Sequence, residues 1–343
     1  MKDQTLQIRT SPHLKRPMAT NTIMLHVVLS LIPVMAFAVY SFGITALLLI
    51  TTTTAACVTA EYLLNGKEKG KQTIKDWSAV LTGVLLALTL PPGFPLWMAF
   101  VGGMIAIALG KFVFGGLGQN LFNPALVGRA MLQAAFPVAI TTWTETLVNG
   151  RFSNIIPSSL TIPFLEPIKA DAVSGATPLS AFKFDKVSTE IQDLAFGFTS
   201  GSLGETCAFL IVLGGVYLGI RKMLNWRIPV GILGTVATLT TILYLSDPVT
   251  YPSPWMMLFS GGLMLGAVYM ATDMVSSPLS TFGIWIYSFV IGLLVVLIRI
   301  WGGLPEGVMY AILFGNALAP ILDKSIPHRI YGMSSKNQNK NRA

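Results

Sequence analysis

Charge is scarce in this chain. Of its 343 residues, only 11% are Asp, Glu, Lys or Arg, against roughly 25% in an ordinary soluble domain. With 53% hydrophobic residues and a mean hydropathy of +0.66, that scarcity excludes a water-soluble globular fold. Cysteine is nearly missing too. Cys57 and Cys207 each sit inside an apolar run, neither has a CxxC partner, and both read as small buried hydrophobes. There is therefore no set of iron–sulfur ligands in this chain. The three histidines, His13, His26 and His328, are scattered, which argues against a metal site built from this chain alone. Basic residues exceed acidic ones, giving a net charge of +8. They lie in short polar segments and are not interleaved with aromatics, so the pattern is that of membrane loops and not of nucleic-acid binding.

What the chain has in quantity is long apolar sequence. A helix needs about 20 mostly apolar residues to cross a bilayer. Apolar runs fall at about 23–40, 43–63, 78–90, 96–114, 121–140, 203–220, 228–245, 255–271, 281–301 and 307–322. Tryptophans mark many of their ends (Trp77, Trp97, Trp143, Trp226, Trp255 and Trp301), as in an interfacial belt. Residues 1–22 are polar, and no small-residue cleavage site follows the first run. They are expected to be a cytoplasmic tail before an uncleaved first span.

Topology follows from the basic residues. Lys2, Arg9, Lys15 and Arg16 precede the first run, and Lys67, Lys69, Lys71 and Lys75 follow the second. Arg221, Lys222 and Arg227 separate runs six and seven, and Lys324, Arg329, Lys336, Lys340 and Arg342 follow the tenth. Ten crossings place all four groups on one side, which the positive-inside rule makes cytoplasmic. The expected division is a tail over 1–22, five helices over 23–140, an outward loop over 141–202, five helices over 203–322 and a cytoplasmic tail over 323–343. The outward loop carries four basic and six acidic residues, so in a bacterium it faces the periplasm.

The two five-helix sets read as an inverted repeat. Leu81–Pro124 and Phe259–Pro320 each hold an apolar run broken by proline, then a long run ending near a basic residue and Gly-Gly. Each closes on Asn-x-x-x-Pro, Asn120 to Pro124 and Asn316 to Pro320. Run three matches run eight, and an offset of five flips the second copy. The expected fold is an all-α polytopic membrane protein with helices three and eight broken, the arrangement that marks the central site of transporter-like folds. Run three has 13 apolar residues before Pro91-Pro92, about 20 Å as a helix, so it reads either as a half helix or as a kinked, packed one.

Within the outward loop stands Asp171-Ala172-Val173-Ser174-Gly175-Ala176-Thr177-Pro178. Pro178 drives Thr177 out of the helical region, and Gly175 and Ala176 leave its flanks clear. The reading is an extended, accessible hydroxyl. No base lies nearby in sequence, so Thr177 suits the acceptor of a modifying enzyme better than a nucleophile of its own. A plain surface turn is the alternative.

The pattern Asp-x-x-Ser-Gly-Ala-Thr resembles the flavin-attachment signature of the NqrB/RnfD family. The N-terminal SPHLKRPMATNTIM, the LPPG break, GGLGQNLFNPALVGRA and the inverted repeat extend the resemblance over essentially the whole chain. The short N-terminal tail is nearer to the Rnf branch than to the longer NqrB branch. The resemblance implies FMN joined to Thr177 through a phosphoester by a periplasmic flavin transferase, with Asp171, Ser174, Gly175 and Ala176 as recognition residues. It also implies membership of a complex that moves electrons between ferredoxin and NAD, with iron–sulfur and further flavin subunits as partners, coupled to Na+ or H+ translocation. A non-covalent riboflavin belongs to the same expectation, without assigned residues. The alternatives are the NqrB component of a Na+-translocating NADH:quinone reductase, a urea-transporter-like channel without flavin, and a scaffold whose chemistry lies elsewhere.

Few ionisable residues fall inside the runs. Glu61, Lys111, Asp273 and Arg299 lie near run ends, where snorkelling to the interface is the expectation. Arg129 lies deeper, after Asn120 and Asn123. These three are candidate flavin or ion contacts, with Arg129 binding a phosphate or pairing with Asp273.

Overall fold

The structure is a computed structural model, described here for residues 19–163, 176–187, 189–205, 207–303 and 305–325, with the side chains of 67–69, 71 and 72 left aside. The described residues form helices joined by turns and loops. The first half comprises α1 (Thr20–Phe42), α2 (Ile44–Thr73, broken at Gly66), α3 (Ser78–Leu88), α4 (Leu96–Ile107), α5 (Pro124–Ala135) and α6 (Pro137–Thr141). Two short helices follow in the polar segment, α7 (Pro178–Ser180) and α8 (Ile191–Phe196). The second half comprises α9 (Ala208–Ile220), α10 (Arg227–Ser246), α11 (Pro254–Phe259), α12 (Leu263–Leu265), α13 (Thr281–Trp301) and α14 (Val308–Ser325). A helix or pair of helices occupies each of the ten apolar runs. Among the described residues, four helices are long and apolar enough to cross a membrane by themselves: Thr20–Phe42, Ile44–Gly66, Arg227–Ser246 and Thr281–Trp301. This is a multi-pass membrane protein.

Local chemistry explains where several helices start. Pro124, Pro178 and Pro254 each occupy the first helical position, where a missing N–H costs nothing. Before them stand Asn123, Thr177 and Ser253, whose side-chain oxygens accept from backbone N–H groups of the first turn. Ser280 caps α13 in the same way, accepting from Gly283 N at 3.0 Å.

Run three is not a kinked continuous helix. α3 stops at Leu88, and the chain stays non-helical until Leu96. Leu90 and Phe94 are completely buried in this break. Its carbonyls are met by other loops: Gly204 N donates to Leu88 O at 2.6 Å, Leu203 N to Leu90 O at 3.1 Å and Ser158 Oγ to Gly93 O at 2.7 Å. Backbone buried at that depth needs such partners. Run eight breaks likewise. α11 ends at Phe259, Ser260 is extended, and Gly261 has φ +66°, a left-handed position that favours glycine.

The helices pack in two parallel sets. α2 packs on α3 and α4, and α4 on α5; α10 packs on α11 and α13, and α13 on α14. α1 meets α9 and α5 meets α14 across the middle. The two Asn-x-x-x-Pro sequences occupy different settings. Asn120 to Pro124 leads into α5, whereas Asn316 and Pro320 lie inside α14.

Three π-helical turns, wider by one residue than an α turn, extend short helices among the described residues: Ala108–Phe112 after α4, Ala181–Asp185 after α7 and Gly266–Met270 after α12. Such turns gather at functional positions. At Gly110 a Cβ would lie 2.6 Å from Pro124 Cα. Glycine there lets the start of α5 press against the first π turn, which brings Asn120, Asn123 and Lys111 around one cavity.

Candidate functional site

Of the attachment motif, Asp171, Ser174 and Gly175 lie outside the described residues. Ala176 is exposed and Thr177 is buried, at 2%. Thr177 is extended (φ −69°, ψ 152°), as Pro178 requires. Its hydroxyl is not the free, accessible group read from the sequence. Thr177 Oγ1 accepts from Ser180 N at 3.3 Å and lies 3.0 Å from Ser180 Oγ. The correction has a local cause: a threonine before proline is also a helix N-cap, and the cap turns its oxygen inward. An N-cap contributes about 1 kcal/mol, a small energy to give up on modification.

The Thr177 segment is anchored on the second half. Leu179 is buried close to Gly261, in the break between α11 and α12. Lys183 Nζ donates to the carbonyls of Arg299, at 3.0 Å, and Gly302, at the end of α13. Desolvation there lowers the Lys183 pKa below the ordinary lysine value. Arg299 itself points inward and donates to Met257 O at 2.6 Å and Ser260 O at 2.9 Å. It is 4% exposed, so it caps the carbonyl end of α11 and does not snorkel.

Snorkelling fails for the other end-of-run charges as well. Lys111 is 3% exposed and Glu61 1%. They form an ion pair of 2.9 Å between the π turn and α2. Asp273 accepts from Asn120 Nδ2 at 3.3 Å and from Ser276 Oγ at 3.1 Å. In each case a residue of the protein supplies the partner: Glu61 on α2 for Lys111, and Asn120 and Ser276 in loops for Asp273.

Arg129 does not pair with Asp273. It binds Glu306 at 2.9 Å. The three candidates therefore divide. Asn120 and Asn123 face one cavity, and Arg129 faces another with Gln133, Ser202, Thr89 and Glu306. Asn123 has two structural bonds: its Oδ1 caps α5 and its Nδ2 donates to Met270 O at 3.1 Å. Glu205 and Glu306, which the sequence did not single out, complete the Arg129 group together with Arg299. Their signal was a lone carboxylate at the edge of an apolar run.

The first cavity measures about 80 Å³, several times what one water needs. Its walls are apolar, with Val27, Leu81, Leu85 and Leu224, and its polar edge is formed by Ser78, Lys111, Asn120 and Asp273. The model of the NQR2, RnfD, RnfE family matches residues 7–332. The chain belongs to that family. A relative from Clostridium ljungdahlii, named as part of a proton-translocating ferredoxin:NAD(+) oxidoreductase complex, is 40% identical over 340 residues, covering 94% of this chain and 95% of its own. The corresponding member of the Na(+)-translocating ferredoxin:NAD(+) oxidoreductase complex of Acetobacterium woodii is 38% identical, covering 97% and 98%. That of an ion-translocating oxidoreductase complex from Stutzerimonas stutzeri is 40% identical, covering 93% and 94%. The named relatives are all components of ion-translocating oxidoreductase complexes. One relative is named for protons and another for sodium, so the likeness leaves the coupling ion open.

Proposed function

We propose that this chain is the electron-relaying membrane component of a ferredoxin- and NAD-linked Rnf-type complex, with FMN in phosphoester linkage on Thr177. The observation that carries the reading is Thr177 itself. It ends an Asp-x-x-Ser-Gly-Ala-Thr sequence in a chain that resembles members of such complexes along nearly its whole length, and only a weak cap holds its hydroxyl. Attachment forms one bond from Oγ1 to phosphorus, and the hydroxyl proton leaves. Once bound, the flavin supplies one- and two-electron transfer. The chain's own part is to hold the segment still through Leu179 on Gly261 and Lys183 on the end of α13. Asp171, Ser174, Gly175 and Ala176 serve recognition by a periplasmic flavin transferase.

The reading includes ten crossings in two inverted sets of five, both termini cytoplasmic and Thr177 periplasmic. Its support is the parallel packing of α2, α3, α4 and α5 with α10, α11, α13 and α14, together with the basic loops. Electron transfer is coupled to Na+ or H+ translocation. The cavity edged by Ser78, Lys111, Asn120 and Asp273 is assigned to a non-covalent flavin of the riboflavin type. An isoalloxazine ring offers carbonyl and nitrogen acceptors to the Lys111 N–H that Glu61 and Ser78 leave over, and an N–H to the Asn120 amide oxygen, and its faces suit Leu81 and Leu85.

Peptide mass spectrometry on the membrane-expressed chain, with and without a flavin transferase, tests the attachment. A gain of one FMN less one water on the Thr177 peptide, lost in Thr177→Ala, is the expected result. No gain beside a transferase shown to be active on another substrate leaves a scaffold or channel in its place.

A further inference from the structure

Lys111 is an ammonium in the wall of an apolar cavity, and its bonds lead out of it. Nζ donates to Ser78 Oγ at 2.7 Å as well as to Glu61 Oε1 at 2.9 Å. Ser78 Oγ donates in turn to Asp76 Oδ1 at 2.5 Å. Asp76 is half-buried, in the short turn between α2 and α3 that also carries Lys75. Ser78 and Lys111 both line the cavity. A continuous chain of three hydrogen-bonding groups thus runs from a polar loop to the cavity wall.

A plain ion pair explains less than this. Lys111 has three N–H groups, of which Glu61 takes one, and Ser78 N already has Asp76 Oδ1 as its cap at 2.8 Å. The hydroxyl link between lysine and aspartate is additional to both. Glu61 is also tied by Asn65 Nδ2 at 3.1 Å, while its Oε2 is buried with no hydrogen-bond partner among the described residues. The titratable groups around Lys111 are Glu61 and Cys57 from α2 and, through Ser78, Asp76, with Asp273 and Tyr269 on the same cavity.

We propose that Asp76, Ser78 and Lys111 form a proton line into this cavity, with Glu61 as the counter-charge of Lys111. The proposal rests on the cavity being the non-covalent flavin site. As the ring takes up electrons, Lys111 Nζ gives a proton to a basic ring atom. The Ser78 hydroxyl turns from Asp76 Oδ1 to Nζ and passes its proton. Asp76 takes a proton from water and hands it to the Ser78 oxygen, and ends again as the acceptor of the Ser78 hydroxyl. One proton moves from water to the ligand, and each side chain ends as it began.

The test uses the full chain in membranes with Thr177→Ala as background, so that every remaining flavin is non-covalent. Dissociable flavin is first measured by extraction. Proton uptake is then followed with a pH indicator after mixing with reduced methyl viologen, which gives an electron without releasing a proton, for the parent, Ser78→Ala, Asp76→Asn and Ser78→Thr. Ser78→Ala keeps the Lys111–Glu61 pair, and Asp76→Asn keeps the cap on Ser78 N. Both are expected to retain flavin and to slow proton uptake on the order of a hundredfold, with Ser78→Thr restoring the parent rate. In the flavin-free protein, the infrared carboxylate bands lost in Asp76→Asn are expected to shift in frequency in Ser78→Ala, which removes the hydroxyl that donates to Asp76. Unchanged uptake in both broken-line variants overturns the line and leaves the cavity reading standing. Variants that lose flavin make Ser78 and Asp76 ligand-holding groups, which also overturns it. A parent chain without dissociable flavin overturns the cavity reading first, and the line with it.

Discussion

Lys111 and Arg129 are both buried cations held 2.9 Å from a carboxylate, yet their surroundings differ. The side chains of Lys111 and Glu61 are 4% and 2% exposed; those of Arg129 and Glu306 are 10% and 16%. Lys111 has a second acceptor in Ser78, and Glu61 a second donor in Asn65. Among the described residues, Glu61 Oε2 alone lacks a hydrogen-bond partner in the first pair, whereas in the other group Arg129 Nε, Arg299 Nε, Glu205 Oε1 and Glu306 Oε1 all do. The first pair lies between α2 and the π turn that continues α4, where the helices run on without a break. The second group lies beside the non-helical ends of α3 and α11, around a cavity of about 20 Å³, roughly the room of one water. Regular packing closes around a charge and fixes its bonds, whereas two helix breaks meeting in the core leave polar atoms with space.

The comparison can be broken most sharply at Lys111. Lys111→Met leaves Glu61 buried beside an apolar chain, and the loss should reach about 3–5 kcal/mol. Thermal unfolding in detergent reads it, and Lys111→Met combined with Glu61→Leu should recover most of the loss. Arg129→Met should cost less, about 1–3 kcal/mol, because the adjoining cavity lets water reach Glu306. Equal losses at the two sites would erase the distinction. The smallest effect is expected at Thr177→Ala, about 1 kcal/mol for the lost N-cap, with the rest of the chain unfolding as before. A much larger loss there would mean that the segment braces the α11–α12 break and is not merely seated on it.

Much of the architecture was legible in one dimension. Ten apolar runs became ten helical stretches because a chain in lipid must satisfy its backbone within each segment. The interruption at Pro91-Pro92 was visible since proline cannot continue a helix, but whether it made a kink or a true break was not. Loops distant in sequence decided that: residues 203 and 204 take up the carbonyls of Leu88 and Leu90. The matched Asn-x-x-x-Pro sequences misled in detail, because identical spacing served an N-cap in one half and a helix interior in the other.

The candidate site followed the same division. Thr177 was marked by its own neighbours, and its extended backbone was dictated by Pro178. Its burial was not, since that depends on Ser180 turning back and on Gly261 receiving Leu179. Glu61 and Lys111 are 50 residues apart, and Arg129 and Glu306 are 177 apart. No local pattern relates such residues, so each end-of-run charge read alone was sent to the interface.

By itself, then, the sequence determined the membrane class, the helical runs, the family and the threonine that ends the Asp-x-x-Ser-Gly-Ala-Thr motif, because hydropathy, proline geometry and short motifs act over a few residues. Only the tertiary structure decided which buried charges pair, where the two cavities lie and that Thr177 faces inward, because those depend on contacts between helices that the chain brings together only on folding.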